Sequence, residues 1–332
     1  MNKKIVIGTR GSRLAVWQAE WVKTCIEALR PGIEVCLKTI KTTGDKILDA
    51  LLANAGGKGL FVKEIEEALL CGEADIAVHS MKDMPAELPQ GLRIAAVLPR
   101  EDPRDALALR QEGPGEKPPS PPPDPGAEIT SLDLIPEGAV VGTGSLRRSC
   151  QLRRARPDLN IVPLRGNIET RLKKLDEGLY TAVVLAAAGL KRLGLGHRIS
   201  GLLSTDLLLP AAAQGAVGIE IRAGDRLEEL ISSLDDPETA VCVKAERRFL
   251  KALDCGCQAP VAVYARLLQG AGSPDSLLVM DGLVGDPDGR FLIKNRIEGH
   301  PSAAEFLGNE LALKILNHGA KTVLDNIYNN NR

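Results

Sequence analysis

Aromatic side chains are scarce: two Trp, three Tyr and four Phe make up 3% of the 332 residues. A chain this poor in flat rings has few platforms on which nucleic-acid bases could stack. Charge of one sign is also lacking. Lys and Arg number 42 against 43 Asp and Glu, a formal charge of -1, so the whole molecule offers no electrostatic footprint for nucleic acid or an anionic membrane. No apolar run approaches the roughly 18 residues of a membrane span. The basic start, Met1 to Lys4, is followed by a short apolar stretch ending at Gly8-Thr9-Arg10, which is not a secretory signal pattern. The four His and seven Cys show no metal-ligand spacing, and an odd, scattered cysteine count fits reduced thiols better than a disulfide framework. There is no GxGxxG fingerprint, and Gly56-Gly57-Lys58-Gly59 lacks the ending of a phosphate-binding loop. The expectation is a cytoplasmic globular protein with no metal, no membrane and no nucleic acid among its partners.

What is present is a repeated α/β alternation. Lys3 to Ile7 reads as a strand, and Ser12 as the N-cap of a helix that runs to Leu29 and stops at Pro31-Gly32. Glu34 to Lys41, Ala74 to Val78 and Arg93 to Leu98 follow as strands, with a helix through about Leu70 between them. The pattern breaks at Arg100-Glu101-Asp102-Pro103-Arg104, and a second series starts at Asp105. Its strands are expected over Ala139 to Val141, Ile161 to Leu164 and Ala182 to Ala186, before Leu207 to Pro210 and Gly215 to Ile221 lead back out. A Pro-rich stretch at 113–126 reads as an exposed loop with polyproline character. The last third differs: a helix from Pro237 to Leu253, then strands at Val261 to Leu268, Leu277 to Val284 and Phe291 to Ile297, the last two joined by the turn Asp286-Pro287-Asp288-Gly289. This spacing predicts two similar, doubly wound α/β lobes with mostly parallel sheets, residues 1–100 with 215–235 and residues 101–214. A smaller α+β domain with an antiparallel sheet is expected over 236–332.

Several chemical groups fall just after strands, where open α/β sheets bind ligands. Thr143-Gly144-Ser145-Leu146-Arg147-Arg148 opens a helix, whose N-terminus favours anions, and adds two planar forks suited to carboxylate or phosphate. Arg165-Gly166-Asn167 with Arg171 repeats the arrangement one strand later, and Lys191-Arg192 does so after the next. Three such sets imply a polyanionic small molecule. Arg153, Arg154 and Arg156 read as solvated surface arginines. His79-Ser80-Met81-Lys82-Asp83 puts a hydroxyl, an ammonium and a carboxylate at one strand end. A carboxylate there can stabilise a cationic intermediate or move protons; a helix-capping or surface ion-pair role reads equally well. His79 itself reads as structural. Cys255-Gly256-Cys257 lies in a loop between a helix and a strand, where a thiolate can react; an incidental pair is the plain alternative. Cys25, Cys36, Cys71, Cys150 and Cys242 read as small packing residues.

Taken in order, Gly8-Thr9-Arg10 with Ser12, Gly57-Lys58-Gly59-Leu60-Phe61, His79 to Asp83, Arg100 to Asp105, Gly144 to Arg148, Arg165 to Asn167, Pro210 to Gly218 and Cys257-Gln258-Ala259-Pro260 resemble the porphobilinogen deaminase family along essentially the whole chain. The resemblance implies hydroxymethylbilane synthesis. Four porphobilinogen molecules are condensed head to tail, with loss of ammonia, onto a covalently held dipyrromethane, and hydrolysis then frees the linear tetrapyrrole. It implies two lobes of the type II solute-binding-protein kind, a monomer, and a thioether from the dipyrromethane to Cys257 rather than Cys255. Asp83 is implied as the catalytic residue. Lys58, Ser80, Lys82, Thr143, Ser145, Arg147, Arg148, Arg165 and Gln214 are implied as cofactor contacts, and Arg10, Ser12, Phe61, Arg171 and Arg192 as substrate contacts. Two features depart from the family: Asn54 stands where a second lysine is usual, and the Pro-rich loop is long. The rival readings are a non-catalytic two-lobed binding protein for a polycarboxylate, in which Cys257 has no task, and a nucleic-acid binder, which would bind oligonucleotide in a salt-dependent way.

Overall fold

The computed structural model describes residues 4–46, 62–110, 127–254, 259–269 and 275–329. Lys58, Phe61, Asn54, Cys255, Cys257 and the Pro-rich loop lie outside the described residues. The chain divides into two compact units, Met1–Glu101 with Gly215–Val243, and Asp102–Gln214 with Lys244–Arg332.

In the first unit the described strands are β1 (Lys4–Thr9), β2 (Glu34–Thr39), β3 (Ile76–Ser80) and β4 (Leu92–Val97). The later β11 (Val217–Arg222) joins them in a sheet of order β2-β1-β3-β11-β4. The β2–β1 and β1–β3 ladders are parallel, whereas β11 is antiparallel to both β3 and β4. Period-2 alternation places Ile5, Ile7, Ile76, Val78, Ile219 and Ile221 in one apolar cluster. The helix Arg13–Leu29 turns Ala19, Val22 and Ile26 onto that cluster, a helical spacing of three and four. Ser12 caps this helix as expected, its hydroxyl accepting from the Ala15 N–H at 3.3 Å.

The second unit carries β5 (Asp105–Leu109), β6 (Glu128–Ile129), β7 (Val140–Gly142), β8 (Asn160–Val162), β9 (Ala182–Ala186) and β10 (Gly201–Leu203). Their order is β6-β10-β5-β9-β7-β8. Among the described strands of this sheet β5 alone is reversed: its ladders to β10 and β9 are antiparallel and the others parallel. Each of these two sheets is thus mixed rather than mostly parallel, because one reversed strand, just after a passage of the chain from one unit to the other, pairs antiparallel on both sides. The same unit holds a separate antiparallel sheet of β12 (Val261–Leu268), β13 (Leu277–Gly285) and β14 (Leu292–Gly299). Leu207 to Pro210 does not form a strand; the three-residue β10 just before it does.

Two expectations need correction. Cys71 is exposed at the end of the helix Lys63–Leu70, so it is no packing residue; Cys150 and Cys242 are buried. Burial pushes the Cys150 thiol up to about 12, which makes it inert. The tail of the helix Leu146–Ala155 is also less solvated than its charge suggests. Arg153 donates to the Pro287 carbonyl at 2.9 Å, and Arg156 pairs with Asp158 at 2.7 Å while donating to the Leu132 and Ile135 carbonyls.

A polar cluster sits inside the first unit. His79 is buried, with Nε2 3.0 Å from Glu220 Oε2, in line with its structural reading. Glu66 is buried near them, and burial together with the Glu220 charge pushes its carboxyl up to about 7. Its protonated form is therefore favoured in the fold, and its contribution to stability is complete below about pH 4.5 and lost as pH rises towards about 7. Glu66→Gln should keep the buried shape and remove this dependence. Urea midpoints at pH 5 and pH 8 should fall less in that variant than in the wild type, and equal falls would refute the assignment. A second outcome follows from Gly215, which has φ +91° and whose Cβ, if added, would run into the Glu101 carbonyl oxygen. Gly215→Ala should cost about 2–4 kcal/mol through left-handed strain plus the clash, read as a drop in the denaturant midpoint.

Candidate active site

In the first unit, β1 and β3 are parallel neighbours, and Arg10 with Ser12 and Ser80 to Asp83 follow their ends directly. The Ser80 hydroxyl is tied to the buried Gln18 of the helix Arg13–Leu29, with Nε2 to Oγ at 2.9 Å. Met81–Asp83 form a short 3₁₀ turn; the Met81 N–H donates to the Ala216 carbonyl at 3.0 Å. That contact fixes the turn between β3 and the start of β11, whose Val217 pairs with Ser80. Met81 is buried, Lys82 is half-buried, and Asp83 is exposed. Arg10 and Ser12 are half-buried. The structure therefore presents the Asp83 carboxylate to solvent on a turn whose backbone is held from both sides.

In the second unit the parallel strands β7, β8 and β9 all run out towards one edge, and the cationic segments follow them. Ser145 caps the helix Leu146–Ala155, accepting from the Arg148 N–H at 3.5 Å, and Thr143 Oγ1 accepts from the Ser145 N–H at 3.2 Å. After β8, Asn167 caps the helix Ile168–Asp176, and Arg171 Nε donates to the Gly166 carbonyl at 2.7 Å. Arg165 and Arg171 are half-buried, and Arg192, in the helix Ala187–Arg192 after β9, is buried. Arg147 and Arg148 are buried as well, at 5% exposure each.

Both buried forks meet one carboxylate, that of Asp105. Because β5 runs against its neighbours, its first residue pairs with Ala186, the last of β9, at the edge where the parallel strands end. Arg147 Nη1 donates to Asp105 Oδ2 at 2.7 Å, and Arg148 Nη2 and Nε donate to Oδ1 at 2.7 and 3.0 Å. Gln214 Nε2 donates to the same Oδ1 at 2.9 Å and to the Pro103 carbonyl at 2.8 Å. Burial by itself would raise the Asp105 carboxyl; the two guanidinium charges outweigh it and hold the group well below the usual carboxylate range. Arg147 also reaches the Leu209 carbonyl at 2.8 Å, and Arg148 the Val184 carbonyl at 2.9 Å.

Sequence reasoning placed the arginines and Gln214 but missed the residue that joins them. Asp105 stood as the start of a strand series and the end of a matching segment, with no role of its own, although a charged residue heading the apolar run Asp105–Leu109 is itself a signal that buried cations lie near. Gln18 and Gln151 were missed too. Gln151 brackets Leu209, donating to its carbonyl at 3.1 Å and accepting from its N–H at 2.8 Å. Nothing in the sequence marks a helical Gln for such a task.

Comparison with known proteins gives a consistent set. A family model described as porphobilinogen deaminase, dipyromethane cofactor binding domain, matches residues 5–229, and one described as porphobilinogen deaminase, C-terminal domain, matches residues 240–317. A porphobilinogen deaminase of Syntrophotalea carbinolica is 51% identical over 319 residues, covering 96% of this chain and 94% of the relative. One of Syntrophobacter fumaroxidans is 47% identical over 328 residues, covering 98% of this chain and 99% of the relative. Among solved structures, the methionine-binding protein MetQ aligns with a TM-score of 0.42 at 14% identity, over 70% of this chain and 90% of that one.

Proposed function

Since the chain belongs to the porphobilinogen deaminase family, we propose that it is a transferase that joins four porphobilinogen molecules head to tail and releases linear hydroxymethylbilane. The family places it among the enzymes of tetrapyrrole synthesis. The finer assignment rests on the side chains at the strand ends. The single observation that carries it is the exposed carboxylate of Asp83, held on a fixed turn in one unit, while buried and half-buried guanidinium groups follow successive strands in the other.

These residues fit a dipyrromethane by the chemistry of their donors and acceptors. Its ring carboxylates call for cations and hydroxyls, which Lys82, Ser80, Thr143, Ser145, Arg147, Arg148 and Arg165 supply. Its pyrrole N–H groups call for an acceptor, which Asp83 supplies. When bound through Cys257, the cofactor supplies an anchored pyrrole carbon that acts as nucleophile. The protein's own part is electrostatic. Porphobilinogen loses ammonia and leaves an electron-poor methylene pyrrole; Asp83 stabilises that positive charge and holds the pyrrole N–H in place. Each incoming ring brings two carboxylates, and Arg10, Ser12, Arg171 and Arg192 orient them by charge-assisted bonds. Residues 236–332 form the domain that carries the cofactor cysteine, and the working unit is a monomer in the cytoplasm.

The test is the intact mass of the protein made in porphobilinogen-producing cells, with a peptide map of the modified residue. A dipyrromethane adduct on Cys257 is expected, and a clean unmodified chain would favour a binding protein without chemistry. Asp83→Asn should keep the fold and the adduct while kcat falls by about a hundredfold or more. Near-normal hydroxymethylbilane formation by this variant would remove Asp83 from the role.

A further inference from the structure

The group that organises the second unit's cations belongs to the protein itself. Asp105 has no side-chain exposure, and each of its oxygens is engaged: Oδ2 by Arg147, and Oδ1 by Arg147 at 3.3 Å, by two nitrogens of Arg148 and by Gln214. Two guanidinium groups facing one carboxylate leave one positive charge in excess. A core built only for cohesion has little reason to keep such a set, because well-packed apolar residues of similar volume often replace a buried ion pair without loss of stability. The arrangement makes sense if the charge is kept for an incoming anion and the carboxylate fixes the geometry in which it is offered. Both forks are then locked before any ligand arrives: Arg147 between Asp105 and the Leu209 carbonyl, and Arg148 between Asp105 and the Val184 carbonyl.

We propose that Asp105 is a positioning residue for the reaction, presetting Arg147 and Arg148, with Gln214 as its brace, so that the two guanidinium groups meet the carboxylates of the pyrrole chain without reorganising. This rests on the reading of the site given above. Asp105 touches no reacting atom in this account and acts only through the residues that it holds. It also sets the local charge, since two bare guanidinium groups side by side would repel each other and swing apart. A preset fork lowers the cost of ordering at the moment of binding, so its loss should appear in cofactor loading and in KM before it appears in kcat.

The experiment compares the wild type with Asp105→Asn, which removes the charge, and Asp105→Glu, which keeps the charge and moves it by one methylene. Each is made in porphobilinogen-producing cells. The fraction of folded protein carrying the adduct is read by intact mass, and KM and kcat are measured on the loaded fraction. We expect the loaded fraction to fall and KM for porphobilinogen to rise by about tenfold in Asp105→Asn, with a smaller change of the same kind in Asp105→Glu. If Asp105→Asn does not fold, Asp105→Glu decides. A purely structural role would lower the melting temperature while leaving the folded protein with wild-type loading and wild-type KM, and that result would overturn the proposal. A wild-type protein without adduct would instead count against the functional reading itself, so the two failures are distinct.

Discussion

The chain passes from one unit to the other three times, between Glu101 and Asp102, between Gln214 and Gly215 and between Val243 and Lys244, and each of the first two passages delivers one strand against the direction of its neighbours. This constraint decides what stands at the functional edge of each sheet. In a run of parallel strands only their last residues reach that edge, whereas a reversed strand contributes its first. Thus β5 brings Asp105 to the ends of β7 and β9, and β11 brings Val217 beside Ser80. In each unit, the residues at that edge of the reversed strand are therefore those that lead into it. Asp102 to Asp105 and Gln214 to Val217 are close in sequence to the passages because the topology requires it.

The second consequence concerns the helix Leu146–Ala155, which carries Arg147 and Arg148. A ten-residue helix with four arginines would, by its charge, belong on the surface. It is held inwards by partners along its whole length. Asp105 offsets one of the two charges of its first turn, Gln151 is bonded to Leu209, and Arg153 reaches the Pro287 carbonyl in the turn between β13 and β14. Gly285 at the end of β13 leaves no room for a Cβ, which would collide with the Cys150 sulfur. The antiparallel sheet thus packs on the back of the helix whose front turn holds the cation pair. Rigid support from behind is what lets two buried guanidinium groups keep fixed positions.

Much of this was legible in the sequence, and what was not has a physical reason. Ser12 and Ser145 announced helix starts because capping is a local device that uses one side chain and a backbone two or three residues away, whereas the cap at Asn167 went unread. Short apolar or alternating runs located β1, β3, β9, β12 and β13. The three-residue β10 escaped, since Gly201–Leu203 is too short to show a period. The reversal of β5 and β11 also escaped, because strand direction is set by contacts distant in sequence and leaves no local pattern. The arginines were recognised as a set, but their carboxylate partner lies 42 residues away. Such long-range pairing is invisible to any reading of spacing, and it changes the picture from free cations to a preset, partly neutralised pair.

The segment before the second passage shows how the same logic reaches the helix Pro237–Leu253. Ala213 has φ 56°, a left-handed conformation that a residue with a Cβ adopts only when its surroundings compel it. Its N–H donates to the buried carboxylate of Glu246, whose other oxygen accepts from the Ala265 N–H at 2.7 Å. One carboxylate therefore holds the strained return segment and the strand β12 at once. Leu209, a few residues earlier, packs with Ala262 and Leu283 of the antiparallel sheet and accepts from Arg147 through its carbonyl. Residues 209–213 are in this way bonded on one side to the arginine helix and on the other to the elements that flank Cys257 in sequence. A displacement of that helix or of β12 would be felt at Leu209 and, through it, at Arg147. Within this unit the arginine pair and the elements that flank Cys257 in sequence therefore share one set of backbone supports.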